Sequence, residues 1–149
     1  MKTQTKLTEH FTLEEMAASG TAIKMGIRNW PNGEQAEALH QLCMNVLEPL
    51  RLRFGRIIIA SGYRCPQVNS AVGGVKNSQH MRGEAADIHC SSLEVACRYY
   101  DFIRQYLVFD QLLLERRMRN GCCWIHVSYI MQPGRRANRQ MARRLNLES

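Results

Sequence analysis

His80 and Asp87 flank a loop that contains Gly83 and the small residues Ala85 and Ala86, and His126 sits in Trp124-Ile125-His126-Val127-Ser128. Zinc takes imidazole nitrogen and carboxylate oxygen at about 2.0–2.2 Å, and a catalytic site keeps one position open. Two histidines and one aspartate would make such a three-ligand set. Composition alone does not choose them from the five histidines of the chain, and a lone histidine on a strand is more often a packed or surface residue. The six cysteines, at 43, 65, 90, 97, 122 and 123, contain no C-x-x-C pair. A thiolate zinc cluster is therefore not expected, and a metal site must be sought among histidines and carboxylates. Arg64 follows a glycine after a β-branched run, where a loop can present its guanidinium; that fork can grip a carboxylate through two hydrogen bonds. A plain surface arginine would have the same local sequence. Glu115 ends the apolar run Leu112-Leu113-Leu114, where a carboxylate is costly unless it has a partner.

These residues need elements to hold them. Thr12-Leu13-Glu14-Glu15 has the form of a capping box and predicts a short helix to about Ser19. Trp30-Pro31-Asn32-Gly33 predicts a loop. Leu39, Leu42, Cys43, Val46, Leu47 and Leu50 follow helical spacing from Glu34, and Pro49 should bend or shorten that helix near its end. Strands are expected over 56–61, 85–89, 111–115 and 124–129. A loop with one helical turn should occupy 62–79. Ser91-Ser92-Leu93-Glu94 should cap a helix to about Leu107, with Leu93, Ala96, Tyr100, Ile103 and Leu107 inward. Pro133-Gly134 should break the chain before a basic helix. The expected architecture is one α+β domain, a small antiparallel sheet with helices packed around it. Its body would be residues 1–132, with 133–149 as a basic extension of the same domain.

Taken together, Ser61-Gly62-Tyr63-Arg64, then Asn77-Ser78-Gln79-His80 with Gly83-Glu84-Ala85-Ala86-Asp87, then Trp124-Ile125-His126-Val127-Ser128 resemble the D-Ala-D-Ala carboxypeptidase-like zinc peptidases. Those share a fold superfamily with lysostaphin-type enzymes and the hedgehog signalling domain. Each piece alone is weak; the three in order, over about His10 to Tyr129, are specific. The resemblance implies a hedgehog/D-Ala-D-Ala peptidase-like fold and one Zn2+ ion held by His80, Asp87 and His126. It implies Arg64 as the binder of a substrate carboxylate, with Ser78 in the same pocket.

A metallopeptidase also needs a group that takes a proton from water and delivers it to the leaving amine. Many relatives carry an acid or a histidine within about five positions before the last ligand. Here positions 121–125 are Gly, Cys, Cys, Trp and Ile. Glu115 is the alternative. Asn120-Gly121 is a strong two-residue type I′ hairpin signal; with those residues as the turn, Glu115 would face His126 directly across the strands, with Cβ atoms about 4.5–5.5 Å apart. A one-residue slip would send it to the other face. A Gln-Leu-x-x-Glu strand before the histidine strand in relatives favours the same choice. His89, two residues past Asp87, shares its strand face. His10 and His40 receive no role.

The chain has 149 residues, 20 Lys+Arg against 13 Asp+Glu, a net charge of +7, and 45% hydrophobic residues. That is the length and composition of one globular domain, and it disfavours disorder or a fibrous fold. No apolar run approaches the roughly 20 residues of a membrane span. No secretory signal follows Met1-Lys2-Thr3-Gln4, and reduced thiols acting as small core residues are expected. Eight arginines and no acid lie between Arg116 and Arg144, a balance compatible with nucleic acid, an acidic membrane or an anionic wall polymer. No nucleic-acid motif or aromatic interleaving accompanies them. The expected activity is zinc-dependent hydrolysis of peptide bonds in bacterial peptidoglycan stem peptides, as a carboxypeptidase or an endopeptidase. The expected enzyme is monomeric and made in the cytoplasm. It would reach the wall after release, in the manner of a bacteriophage endolysin, or in a virion. The competing reading is a non-catalytic zinc-containing module that binds cell wall or protein.

Overall fold

The computed structural model describes residues 4–131 and 137–148. Strands β1 (Lys6–Thr8) and β2 (Phe11–Thr12) form a small hairpin ahead of α1 (Leu13–Met16), α2 (Gly20–Met25) and α3 (Gly33–Leu42). A π-type turn over Cys43–Leu47 leads into α4 (Glu48–Phe54), and β3 (Ile58–Ser61) and α5 (Pro66–Ala71) follow. A 3₁₀ turn at Gln79–Arg82 precedes β4 (Ala85–Cys90), α6 (Leu93–Tyr106), β5 (Gln111–Arg117), β6 (Cys123–Ser128) and β7 (Met141–Leu147).

The expected α+β class is what the structure has. Several elements begin where the caps predict. The Thr12 hydroxyl accepts the Glu15 N–H at 3.1 Å, and Ser92 caps α6 through the Val95 N–H. Asn32, read from the sequence only as part of a loop, forms with Gln35 a full capping box that starts α3. Three expectations need correction. The segment after Thr12 is two short helices, because Ser19 caps a second one. Pro49 does not shorten its helix, which runs on as α4 to Phe54. It cannot donate to the carbonyl four residues back, and the turn before it widens so that the Glu48 N–H bonds to the Cys43 carbonyl instead. Leu93 is largely exposed, and Tyr99 takes an inward place on α6 with Ala96, Tyr100 and Ile103.

The larger sheet has the order β3-β4-β6-β5-β7. Its first four strands pair antiparallel, and β7 runs parallel to β5 at the edge. The basic helix expected near the C-terminus is therefore a strand. Met141-Ala142-Arg143-Arg144-Leu145 suits a helix equally well by local preference; pairing with the otherwise open edge of β5 decides. Pro133-Gly134 lies outside the described residues.

Alternation divides the sheet into two faces. Ile88, Leu112, Leu114, Ile125 and Val127 point to the core and are buried. There they meet α6 and the apolar side of α3, represented by Leu39 and Leu42. Asp87, His89, Glu115, Trp124 and His126 alternate to the opposite face, which carries the polar groups. Cys43, Cys65, Cys90 and Cys123 are buried, as small core residues should be, and burial pushes the Cys90 thiol up to about 12.

Candidate active site

Asp87 and His126 are direct partners across β4 and β6, and Ser61 stands opposite Asp87 on β3. The sheet register thus brings two of the three expected ligands into one rung. His80 arrives from the 3₁₀ turn before β4, and its ring centroid lies 5.2 Å from that of His126. Ligand atoms of His80, Asp87 and His126 all lie within 4.8 Å of one another.

The His80 ring is held by the strand–loop segment Ser61-Gly62-Tyr63-Arg64. Its Nδ1–H donates to the Gly62 carbonyl at 2.7 Å, which leaves Nε2 turned to the Asp87 carboxylate, 3.4 Å away. The backbone on each side is pinned as well: Arg64 N–H donates to the His80 carbonyl at 3.1 Å. Gly62 must be glycine, because a Cβ there would stand 2.2 Å from the Met16 carbonyl oxygen. His126 Nδ1 lies 2.9 Å from the other Asp87 oxygen. Burial opposes the Asp87 charge, but the hydrogen bond from His126 and the nearness of both imidazoles outweigh it and hold its carboxyl well below the usual range.

His80 Nε2 is buried and has no hydrogen-bond partner. An orphaned imidazole nitrogen costs about 1–3 kcal/mol unless something satisfies it. A cation held between it, Asp87 and His126 would do so. Two imidazoles and a carboxylate suit zinc and leave one coordination position open.

Arg64 stands beside this cluster. Its guanidinium lies 3.7 Å from Asp87 Oδ2 and donates to Asn69 Oδ1 at 3.3 Å. Burial lowers its pKa and the Asp87 carboxylate opposes that. A cavity of about 300 Å³ opens beside it, walled in part by Ser61, Val68 and Asp87. Ser78 is buried, and its hydroxyl accepts the His80 N–H at 3.2 Å; it caps the turn that carries His80.

Glu115 reaches the site by a different register from the one expected. Leu113, not Glu115, is opposite His126, and Glu115 is opposite Trp124. A type I′ turn needs left-handed backbone at both central residues, and here only Gly121 has it, at φ 74°. Asn120 instead uses its side chain to accept the Cys122 N–H at 3.0 Å. Arg117 N–H bonds to the Cys122 carbonyl and Gly121 N–H to the Arg117 carbonyl, so residues 118–121 form the loop. The slip is two residues, and an even slip keeps the face. Glu115 becomes a diagonal neighbour of His126, a spacing long side chains can bridge. Burial raises its carboxyl pKa, and the nearby His126 and Trp124 side chains pull it back.

A match to the peptidase M15 family model runs over residues 9–128. The chain belongs to the M15 peptidases. No curated protein matches it closely. Membership makes the M15 chain a peptidase with a peptide substrate, and it accords with the resemblance carried by the three motifs. The matched region ends at Ser128, so β7 of this M15 peptidase lies beyond it. No helix among the described residues is long and apolar enough to cross a membrane.

One part of the M15 peptidase's site had no sequence signal of its own. Asp110, at the start of β5, is fully buried. Arg139 Nε and Nη2 reach its two oxygens at 3.0 Å each, and Gln79, next to His80, donates to it at 3.1 Å. Arg139 lies 29 residues away in sequence, and nothing local links the two.

Proposed function

We propose that this M15 peptidase is zinc-dependent and hydrolyses peptide bonds in bacterial peptidoglycan stem peptides. The observation that carries the reading is the convergence of the His80, Asp87 and His126 donors with Arg64 and Glu115 on one face of the sheet. His80 Nε2, His126 Nδ1 and an Asp87 oxygen would hold the ion. A zinc ion there supplies Lewis-acid polarisation of a carbonyl and lowers the pKa of water. Arg64, oriented by Asn69 and Asp87, takes a carboxylate of the peptide. Glu115 accepts a proton from the attacking water; the water oxygen bonds to the carbonyl carbon, the C–N bond breaks, and the proton passes to the departing amine. Burial raises the Glu115 carboxyl pKa above that of an ordinary carboxyl, towards the range where a base can return its proton.

The net charge of +7 favours approach to anionic wall polymers, and that attraction weakens as salt rises. The enzyme would act on the wall after release from the cytoplasm, as phage lysis enzymes do, or from a virion. Digestion of defined muropeptides, with products weighed by mass spectrometry, tests the reading. Loss of a peptide fragment, dependent on added zinc and blocked by a chelator, is expected. Muropeptides left intact by the zinc-loaded protein would overturn it and favour a binding module.

A further inference from the structure

We propose that the cavity on the β5–β6 hairpin side of the His80, Asp87 and His126 cluster is a second substrate subsite. It would take a peptide carboxylate through Arg117, across the metal centre from Arg64. The proposal rests on the peptidase reading and adds the shape and charge of its substrate.

The cavity measures about 720 Å³ and is walled by Asp87, His89, Ser92, Arg117, Asn120 and Trp124. The Arg64 cavity shares two of its walls, Ala60 and Asp87. The two cavities therefore adjoin at Ala60 and Asp87, and together they make the groove proposed here. A peptide lying in it would extend to either side of the reacting bond, with one end at Arg64 and the other at the hairpin.

Arg117 differs from the ion-paired arginines of the chain in what it lies against. Arg64, Arg82, Arg98, Arg139 and Arg144 each have a carboxylate within 4 Å. Among the described residues Arg117 has none. Its guanidinium lies 5.5 Å above the Trp124 ring, and its Nε is buried with no hydrogen-bond partner. Its backbone is fixed by the bond to Cys122 and the Gly121 N–H. A guanidinium held on an aromatic face, partly desolvated and lacking an anion, is pre-organised for one. Arg64 shows the same mark, a buried Nε without a partner, at the other end of the groove. Trp124 joins this subsite to the chemistry: one face carries Arg117, and Glu115 is its direct partner across the strands. The substrate class that fits is a peptide with carboxylates on both sides of the scissile bond.

The test is equilibrium binding by calorimetry to the zinc-loaded full chain carrying Glu115→Gln, which slows turnover about 10²-fold to 10⁴-fold. The probes are N-acetyl-L-Ala-γ-D-Glu-L-Lys-D-Ala-D-Ala and its twin in which the glutamate α-carboxylate is an amide. In the Glu115→Gln background the acid should bind more tightly than the amide. Adding Arg117→Gln should weaken the acid about tenfold or more and leave the amide unchanged. Arg117→Lys, which keeps the charge, should recover part of the loss. Equal binding of acid and amide, equal weakening of both by Arg117→Gln, or no binding of either probe overturns the subsite. The peptidase reading fails separately, through intact muropeptides with the wild-type chain.

Discussion

Glu115 stands opposite Trp124 across the β5–β6 ladder, while Leu113 holds the place opposite His126. The carboxylate therefore meets the His80, Asp87 and His126 cluster diagonally, with the Trp124 side chain as its cross-strand neighbour. The proposed base thus shares its rung with Trp124. Glu115→Gln should retain stoichiometric zinc by elemental analysis and lose about 10²-fold to 10⁴-fold in cleavage rate. Full activity in that variant would remove Glu115 from the chemistry.

Gly62 ties β3 to His80, and its site has no room for a side chain. Gly62→Ala should destabilise the fold by about 1–3 kcal/mol and weaken zinc binding by displacing the carbonyl that orients the ring. Denaturant midpoints and zinc titration against a chelator measure the two effects. Gly20→Ala, where an added Cβ meets nothing within 4 Å, should leave both nearly unchanged.

Arg139 closes on both oxygens of the buried Asp110 carboxylate. Arg139→Ala leaves that charge without its guanidinium and should cost about 2–3 kcal/mol in urea unfolding. Asp110→Asn combined with Arg139→Ala should cost less than the sum of the single changes, because neither charge is then left alone. Strict additivity would show that the two residues do not act together.

His10 and Glu48 join the β1–β2 hairpin to α4, with Nδ1 to Oε2 at 2.6 Å and the His10 N–H to Oε1 at 2.9 Å. Burial opposes the Glu48 charge, but these hydrogen bonds outweigh it and depress the carboxyl pKa. A depressed folded-state pKa gives stability that is complete above the ordinary glutamate value of about 4.3. That stability is lost as pH falls through the lower folded value. Urea midpoints should therefore fall more between about pH 5 and pH 3 in the wild type than in Glu48→Gln. Parallel curves would remove this pair from the acid response.

What the sequence carries most plainly is local. The caps at Thr12 and Ser92, the β-branched run before Ser61 and the apolar spacing of α3 depend on neighbours a few residues away, so they can be read without a fold. The motif residues His80, Asp87 and His126 are legible as a set only through resemblance, since any of five histidines has the right chemistry. Tertiary pairing decided the remainder. The hairpin loop took four residues, because Asn120 satisfied the chain through its side chain and only Gly121 turned left-handed. Glu115 kept its face because a two-residue slip preserves the alternation of a strand. The C-terminal arginines became a strand because β5 offered an open edge, and Arg139 found Asp110 only once that strand was laid down. Hydrogen-bond ladders and buried ion pairs join residues tens of positions apart, and their energies exist only after the chain has closed those distances.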